Sequence, residues 1–140
     1  GNLKIIFTKL NNKLIKKGEI NFSINEKKIN LKQAKFNLGK IGIINTNMSF
    51  KEDEGDIIFV TNNQLIIEDH IEFAKIFQIG SNKVKNIRKI NFNLEKKVGE
   101  TDFIIKNINI NNLERYELSN QIFEVKNIQN LRSHIRKIID

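Results

Sequence analysis

The stretch GEINFSIN, Gly18 to Asn25, constrains this chain more than any other, because Ile20, Phe22 and Ile24 alternate with Glu19, Asn21 and Ser23. A period of two turns every second side chain to one side of a pleated strand, so three bulky apolar groups share a face and the other face is wet. One strand cannot keep such a face dry. Either a second layer covers it, as in an ordinary β domain, or a ligand with long apolar chains does.

The same pattern returns along the chain. In INLKQAKFNLG, Ile29 and Leu31 share one parity while Ala34, Phe36 and Leu38 share the other, so the phase slips by one residue near Gln33. A β-bulge at that point keeps both apolar sets on one face. The polar NEKK between this run and the previous one reads as a hairpin loop. Gly39 and Gly42 interrupt the next run, after which Ile44, Thr46, Met48 and Phe50 alternate with Asn45, Asn47 and Ser49. KEDEGD reads as a turn, IIFV as a fourth strand, TNN as another turn and QLII as a fifth strand with Leu65 and Ile67 in phase. KINFNLEKK carries Ile90, Phe92 and Leu94, and TDFIIKNINI carries Phe103 and Ile105, with KKVGE as the loop between them. The opening Leu3 to Leu10 is a further strand. Neighbouring strands joined by short turns are most simply antiparallel, so the expected organisation is a meander.

Two segments change period. Asp69 is placed to cap a helix, with Glu72 three residues on, and Phe73, Ile76 and Phe77 follow at helical spacing with Gly80 as the stop. The expected helix covers Ile71 to Gln78. At the end of the chain Ile128, Leu131, Ile135 and Ile138 recur at steps of three and four, which predicts a terminal helix within residues 127–140, capped by Asn127. Arg132, Arg136 and Lys137 fall on its exposed side and towards the negative end of its dipole. The length of 140 residues suits one domain. The expected fold is mainly β: an open, curved, groove-like antiparallel sheet with a short internal helix and a C-terminal helix. A closed β-sandwich is the alternative.

Composition excludes more than it assigns. With no Cys there is neither a disulfide framework nor a thiolate metal site. A net charge of +8 favours a polyanionic partner, yet Asn, Ile and Lys make up about half of the chain. Their codons are rich in A and T, so coding bias alone raises Lys. The only Arg residues are Arg88, Arg115, Arg132 and Arg136, although Arg is the better bidentate binder of phosphate. No basic-aromatic platform for nucleic acid is evident, and none is expected as a partner. His70 and His134 lie far apart, in different helices. EDEGD lacks the spaced oxygen ligands of a calcium loop. There is no nucleophile elbow, no phosphate-cradling glycine loop and no pair of carboxylates in an apolar frame. The expectation is a protein that is not an enzyme and holds no cofactor or metal.

Taken together, GEINFSIN, INLKQAKFNLGKIG, DHIEFAKIFQIG and IRKINFNLEKKVGETDFIIKNINI resemble the C-terminal region of AsmA-like proteins, a bacterial envelope superfamily that includes TamB-like and YhdP-like bridge proteins. The closing KNIQNLRSHIRKII is similar to the helix that ends some members. The resemblance rests on strand style over most of the chain rather than on chemical residues. It implies a periplasmic module of an inner-membrane-anchored protein that offers phospholipid acyl chains an apolar groove on their way to the outer membrane. Family members are several times longer. The first residue is Gly rather than Met, so the expected anchor lies upstream in a longer chain. The lining implied for this sequence is Ile20, Phe22, Ile24, Ile29, Leu31, Phe36, Leu38, Ile90, Phe92, Leu94, Phe103 and Ile105. Arg132, Arg136 and Lys137 are the residues expected to meet a membrane surface, although the terminal helix is first a cover for exposed sheet. The rival expectations are a basic nucleic-acid-binding module and a β domain without a ligand.

Overall fold

The computed structural model describes residues 2–7, 15–25, 28–115, 121–123 and 128–139. One sheet dominates it. Strands β1 (Asn2–Phe7), β2 (Lys17–Asn25), β3 (Lys28–Asn37), β4 (Gly42–Asp53), β5 (Asp56–Ile67), β6 (Lys89–Lys97) and β7 (Phe103–Ile110) follow one another in space in chain order. Two short strands, β8 (Leu113–Glu114) and β9 (Gln121–Phe123), both pair with β7. All pairings are antiparallel, and the sheet is open rather than closed into a sandwich. The helices are α1 (His70–Phe77), the single turn α2 (Ser81–Val84) and α3 (Ile128–Ile139).

The phase slip near Gln33 is a bulge. Asn21 pairs with Gln33 but Phe22 pairs with Leu31, so Lys32 is the extra residue and the register keeps Ile20 opposite Ala34. A second bulge, not foreseen, lies between β6 and β7. Asn91 pairs with Asn109 and Asn93 with Lys106, which leaves Asn107 and Ile108 opposite Phe92. Asn107 takes a positive φ of 54°, a conformation that Asn tolerates better than branched residues do. Its effect is to bring Ile108 and Ile110 onto the same face as Phe103 and Ile105.

Two further expectations need correction. TNN is not a turn, because β5 runs without interruption from Asp56 to Ile67. Asn62 stands in register between Asn47 and Asn93 on the face away from Asn63, and the side chain of Asn63 is fully engaged, as described below. Ladder pairing on both sides overrides the low strand propensity of Asn. Helix α1 starts on Asp69, whose carboxylate accepts from the Glu72 N–H at 3.0 Å, but it stops at Gln78 rather than at Gly80. Gln78 adopts the left-handed conformation at φ 57°, and the Ile79 N–H closes the last turn on the Ala74 carbonyl at 2.9 Å. Gly80 instead precedes α2.

The core lies between the helices and one end of the sheet. Leu38, Ile41, Leu65, Ile67, Phe73, Ala74, Phe77, Val84, Ile87 and Ile90 form one buried cluster, against which Ile44, Phe92, Ile110, Ile135 and Ile139 pack. Ile105, Ile108 and Ile138 form a smaller one. Helix α3 is fastened at its start by Arg132, whose Nε donates to the Ile76 carbonyl of α1 at 2.7 Å. The loop before β6 is held by Asn111, whose Oδ1 accepts from the Arg88 and Lys89 N–H groups while its Nδ2 donates to the Asn86 carbonyl.

Gly42 opens β4 with φ 145°, and a Cβ there would run into the Ile66 carbonyl of the paired strand. Gly55, in the two-residue turn between β4 and β5, has φ 82° but open space around it. Gly42→Ala therefore should cost more than about 3 kcal/mol, whereas Gly55→Ala should cost only about 1 kcal/mol of conformational strain. Urea denaturation of the two variants checks the difference.

Candidate functional site

Register sorts the helix-bearing face into rows that cross the sheet. The uppermost joins Phe36, Ile44, Leu65, Ile90 and Ile110, and it lies under α1 and α2. The second joins Ile20, Ala34, Thr46, Asn63 and Phe92. Met48, Thr61, Leu94 and Ile105 make the third. The fourth runs Phe50, Phe59, Lys96, with Phe103 beside Lys96 on the next strand. Cover is uneven. Leu65 and Ile90 are buried in the first row, whereas Phe50 in the fourth is 50 % exposed although its ring packs on that of Phe59 at 5.2 Å. Ile57 and Val98, one step further down, are also exposed.

A polar thread crosses the middle of this face. Thr46 Oγ1 donates to Asn63 Oδ1 at 2.8 Å, and Asn63 Nδ2 donates to Thr61 Oγ1 at 2.8 Å and to the Phe92 carbonyl at 3.3 Å. Both threonines are buried. Every polar atom of the Asn63 amide is thus partnered, and the thread sits between apolar rows without the cost of an unsatisfied group.

The implied groove lining divides into three sets. Leu38, Ile90 and Ile105 are buried in the cores under the helices. Ile20, Phe22, Phe36, Phe92, Leu94 and Phe103 are half-buried on the helix-bearing face. For Ile24, Ile29 and Leu31 the pairing is defined, Ile24 with Ile29 and Phe22 with Leu31, but their side chains lie outside the described residues. Of the residues assigned to a membrane surface, Lys137 is exposed and Arg136 half-buried, whereas Arg132 is turned inward to the Ile76 carbonyl. The expectation of an exposed Arg132 is corrected by that bond. The capping role of Asn127 lies outside the described residues.

Met48, Phe50, Phe59 and Lys96 join the face although none was among the expected lining. Their signal was present for Met48 and Phe50 in the alternation of INTNMSF. Phe59 was obscured by reading β5 as two strands.

The opposite face mixes apolar side chains, among them buried Ile58 and half-buried Ile43, Val60, Ile66 and Ile104, with lysine–carboxylate ion pairs. Glu95 receives Lys51 at 2.8 Å and Lys106 at 2.9 Å, Asp56 receives Lys97 at 3.3 Å and Glu19 receives Lys4 at 3.0 Å. The hydrogen bonds from Lys106 and Lys51 hold the Glu95 carboxyl below its ordinary value of 4.5. Burial, and next the charge of Lys137, push the His134 imidazole down. Among the described residues no group of three or more His, Cys, Asp or Glu is placed to hold a metal ion, and no helix is long and apolar enough to cross a membrane. No family model matches the chain, and no curated protein or solved structure matches it significantly.

Because the folded carboxyl of Glu95 titrates below the unfolded one, its contribution is present above about pH 4.5 and is lost as pH falls through the folded value. Glu95→Gln should therefore lower stability at pH 7 by a margin that shrinks as the pH falls below 4.5 towards 3. Guanidinium denaturation of both proteins across that range measures the gap, and a gap that does not shrink with acid would disprove the assignment.

Proposed function

We propose that this chain is a non-enzymatic envelope module of the AsmA-like kind, whose apolar face receives phospholipid acyl chains passing between the inner and outer membranes. In this reading it belongs to an inner-membrane-anchored, periplasmic protein. The observation that carries the reading is the lower half of the helix-bearing face. Met48, Phe50 and Phe59 continue the apolar rows beyond the core clusters under the helices, and Phe50 keeps half of its surface exposed within an aromatic pair. Acyl chains laid along such rows gain about 0.8 kcal/mol for each methylene removed from water. The AsmA-like strand style of the sequence supplies the biological setting.

The rival of a β domain without a ligand is favoured by the helix cover over Leu65 and Ile90. The nucleic-acid rival is weakened on the opposite face, where Lys4, Lys51, Lys97 and Lys106 are already paired with carboxylates.

Photo-crosslinkers at Phe22 and Phe59 should capture phospholipid in cells, while those at Asn21 and Asn62, on the opposite parity, should not. Phe59→Glu should abolish capture at Phe22 yet cost less than about 2 kcal/mol of stability, since a face open to water tolerates charge better than a sealed core does. Unfolding by this substitution, together with an absence of adducts at both Phe positions, would identify the face as ordinary core.

A further inference from the structure

Lys96 differs from the other lysines of β4 to β7, Lys51, Lys89, Lys97 and Lys106, in the face it occupies. Cross-strand pairing with Phe59 puts it on the helix-bearing face, in the row Phe50, Phe59, Lys96. Its ammonium stands 6.0 Å from the centre of the Phe103 ring. Its neighbour Lys97, on the opposite face, is paired with Asp56, and Lys51 and Lys106 share Glu95. Among the described residues Lys96 has no carboxylate within ion-pair distance, although it is half-buried. A cation in an aromatic row gains something from the ring faces.

We propose that Lys96 recognises the anionic headgroup of the lipid, so that the site selects an anionic phospholipid rather than any apolar chain. This rests on the acyl-groove reading above and names the ligand class for the same face. The chemistry is complementary on both counts. The ammonium donates to the phosphate oxygens in a charge-assisted hydrogen bond, while the acyl chain lies on Phe59, Phe50 and Met48, which flank it on the strands paired to one side. Exposed Ile57 and Val98 extend the apolar rim beyond the headgroup.

Two probes of equal chain length separate head from tail: lysophosphatidylglycerol and the uncharged monoacylglycerol, each below its micelle concentration. The protein should bind the anionic probe about tenfold more tightly, an effect of the size expected for one hydrogen bond to a charged group. Lys96→Met should erase that preference by weakening lysophosphatidylglycerol relative to monoacylglycerol, and Lys96→Arg should restore it. Phe59→Ala should weaken both probes. Inorganic phosphate should not compete, since a headgroup without its chain lacks most of the contact. Binding of monoacylglycerol with no anionic preference, or a preference that survives in Lys96→Met, would overturn the role of Lys96 and leave the groove standing. Strong competition by free phosphate would also overturn it, by showing an anion site independent of lipid. Binding of neither probe by the folded protein would refute the groove itself and this inference with it.

Discussion

The arrangement depends on keeping one side of a long sheet apolar across strands whose sequence periodicity does not stay in phase. A one-residue slip in a strand sends every later side chain to the other face. The sequence slips twice, near Gln33 and at Asn107, and a bulge absorbs each slip. Without the first, Ala34 and Phe36 would face the side opposite to Leu31. Without the second, Ile108 and Ile110 would leave the face that α3 covers with Ile138. The core, the helix docking and the open rows below it all follow from these two local insertions.

Charge follows the same division. Part of the formal charge of +8 is offset within the sheet, where Lys4, Lys51, Lys97 and Lys106 pair with Glu19, Glu95 and Asp56. Exposed pairs of this kind add little stability individually. Glu95, held between two lysines and mostly shielded, is the strongest case. The apolar face tolerates polarity in a different way, by internal satisfaction: the Thr46, Asn63 and Thr61 side chains partner one another. Fully partnered polar groups inside an apolar face fix register as well as energy, since a shifted β5 would leave Asn63 without those partners.

Strand alternation made most of the sheet legible, because period two is a local property that pairing does not alter. The slip near Gln33 was visible as a change of parity between Leu31 and Ala34. The one at Asn107 is hidden because Ile104 already shares the parity of Ile108 and Ile110, so the alternation shows no break there. TNN misled for a physical reason: Asn favours turns in isolation, but here Asn62 and Asn63 are paired on both sides. The two larger helices were legible from their period and from the Asp69 cap, whereas α2, a single turn, has too few residues to show one. Lys96 was illegible as a special residue. Lys96 and Lys97 are neighbours in LEKK, and only register separates the lysine facing Phe103 from the one facing Asp56.

The partial cover of the apolar face is itself a consequence of connectivity. Strand β5 ends, and β6 begins, at the same end of the sheet, with Ile66 paired to Lys89. The helices between them therefore leave and return at that end. An eight-residue helix is about 12 Å long, and successive rows on one face lie about 7 Å apart, so α1 can span no more than about two rows. Helix α3 is longer. Arg132 joins it to α1 beside the upper rows, and Ile138, further along, reaches Ile105 in the third. The fourth row, with Phe50, Phe59, Lys96 and Phe103, lies beyond the reach of α1. The apolar rows therefore run on past the helices that bury their upper end, because the connecting segments are shorter than the strands they cover.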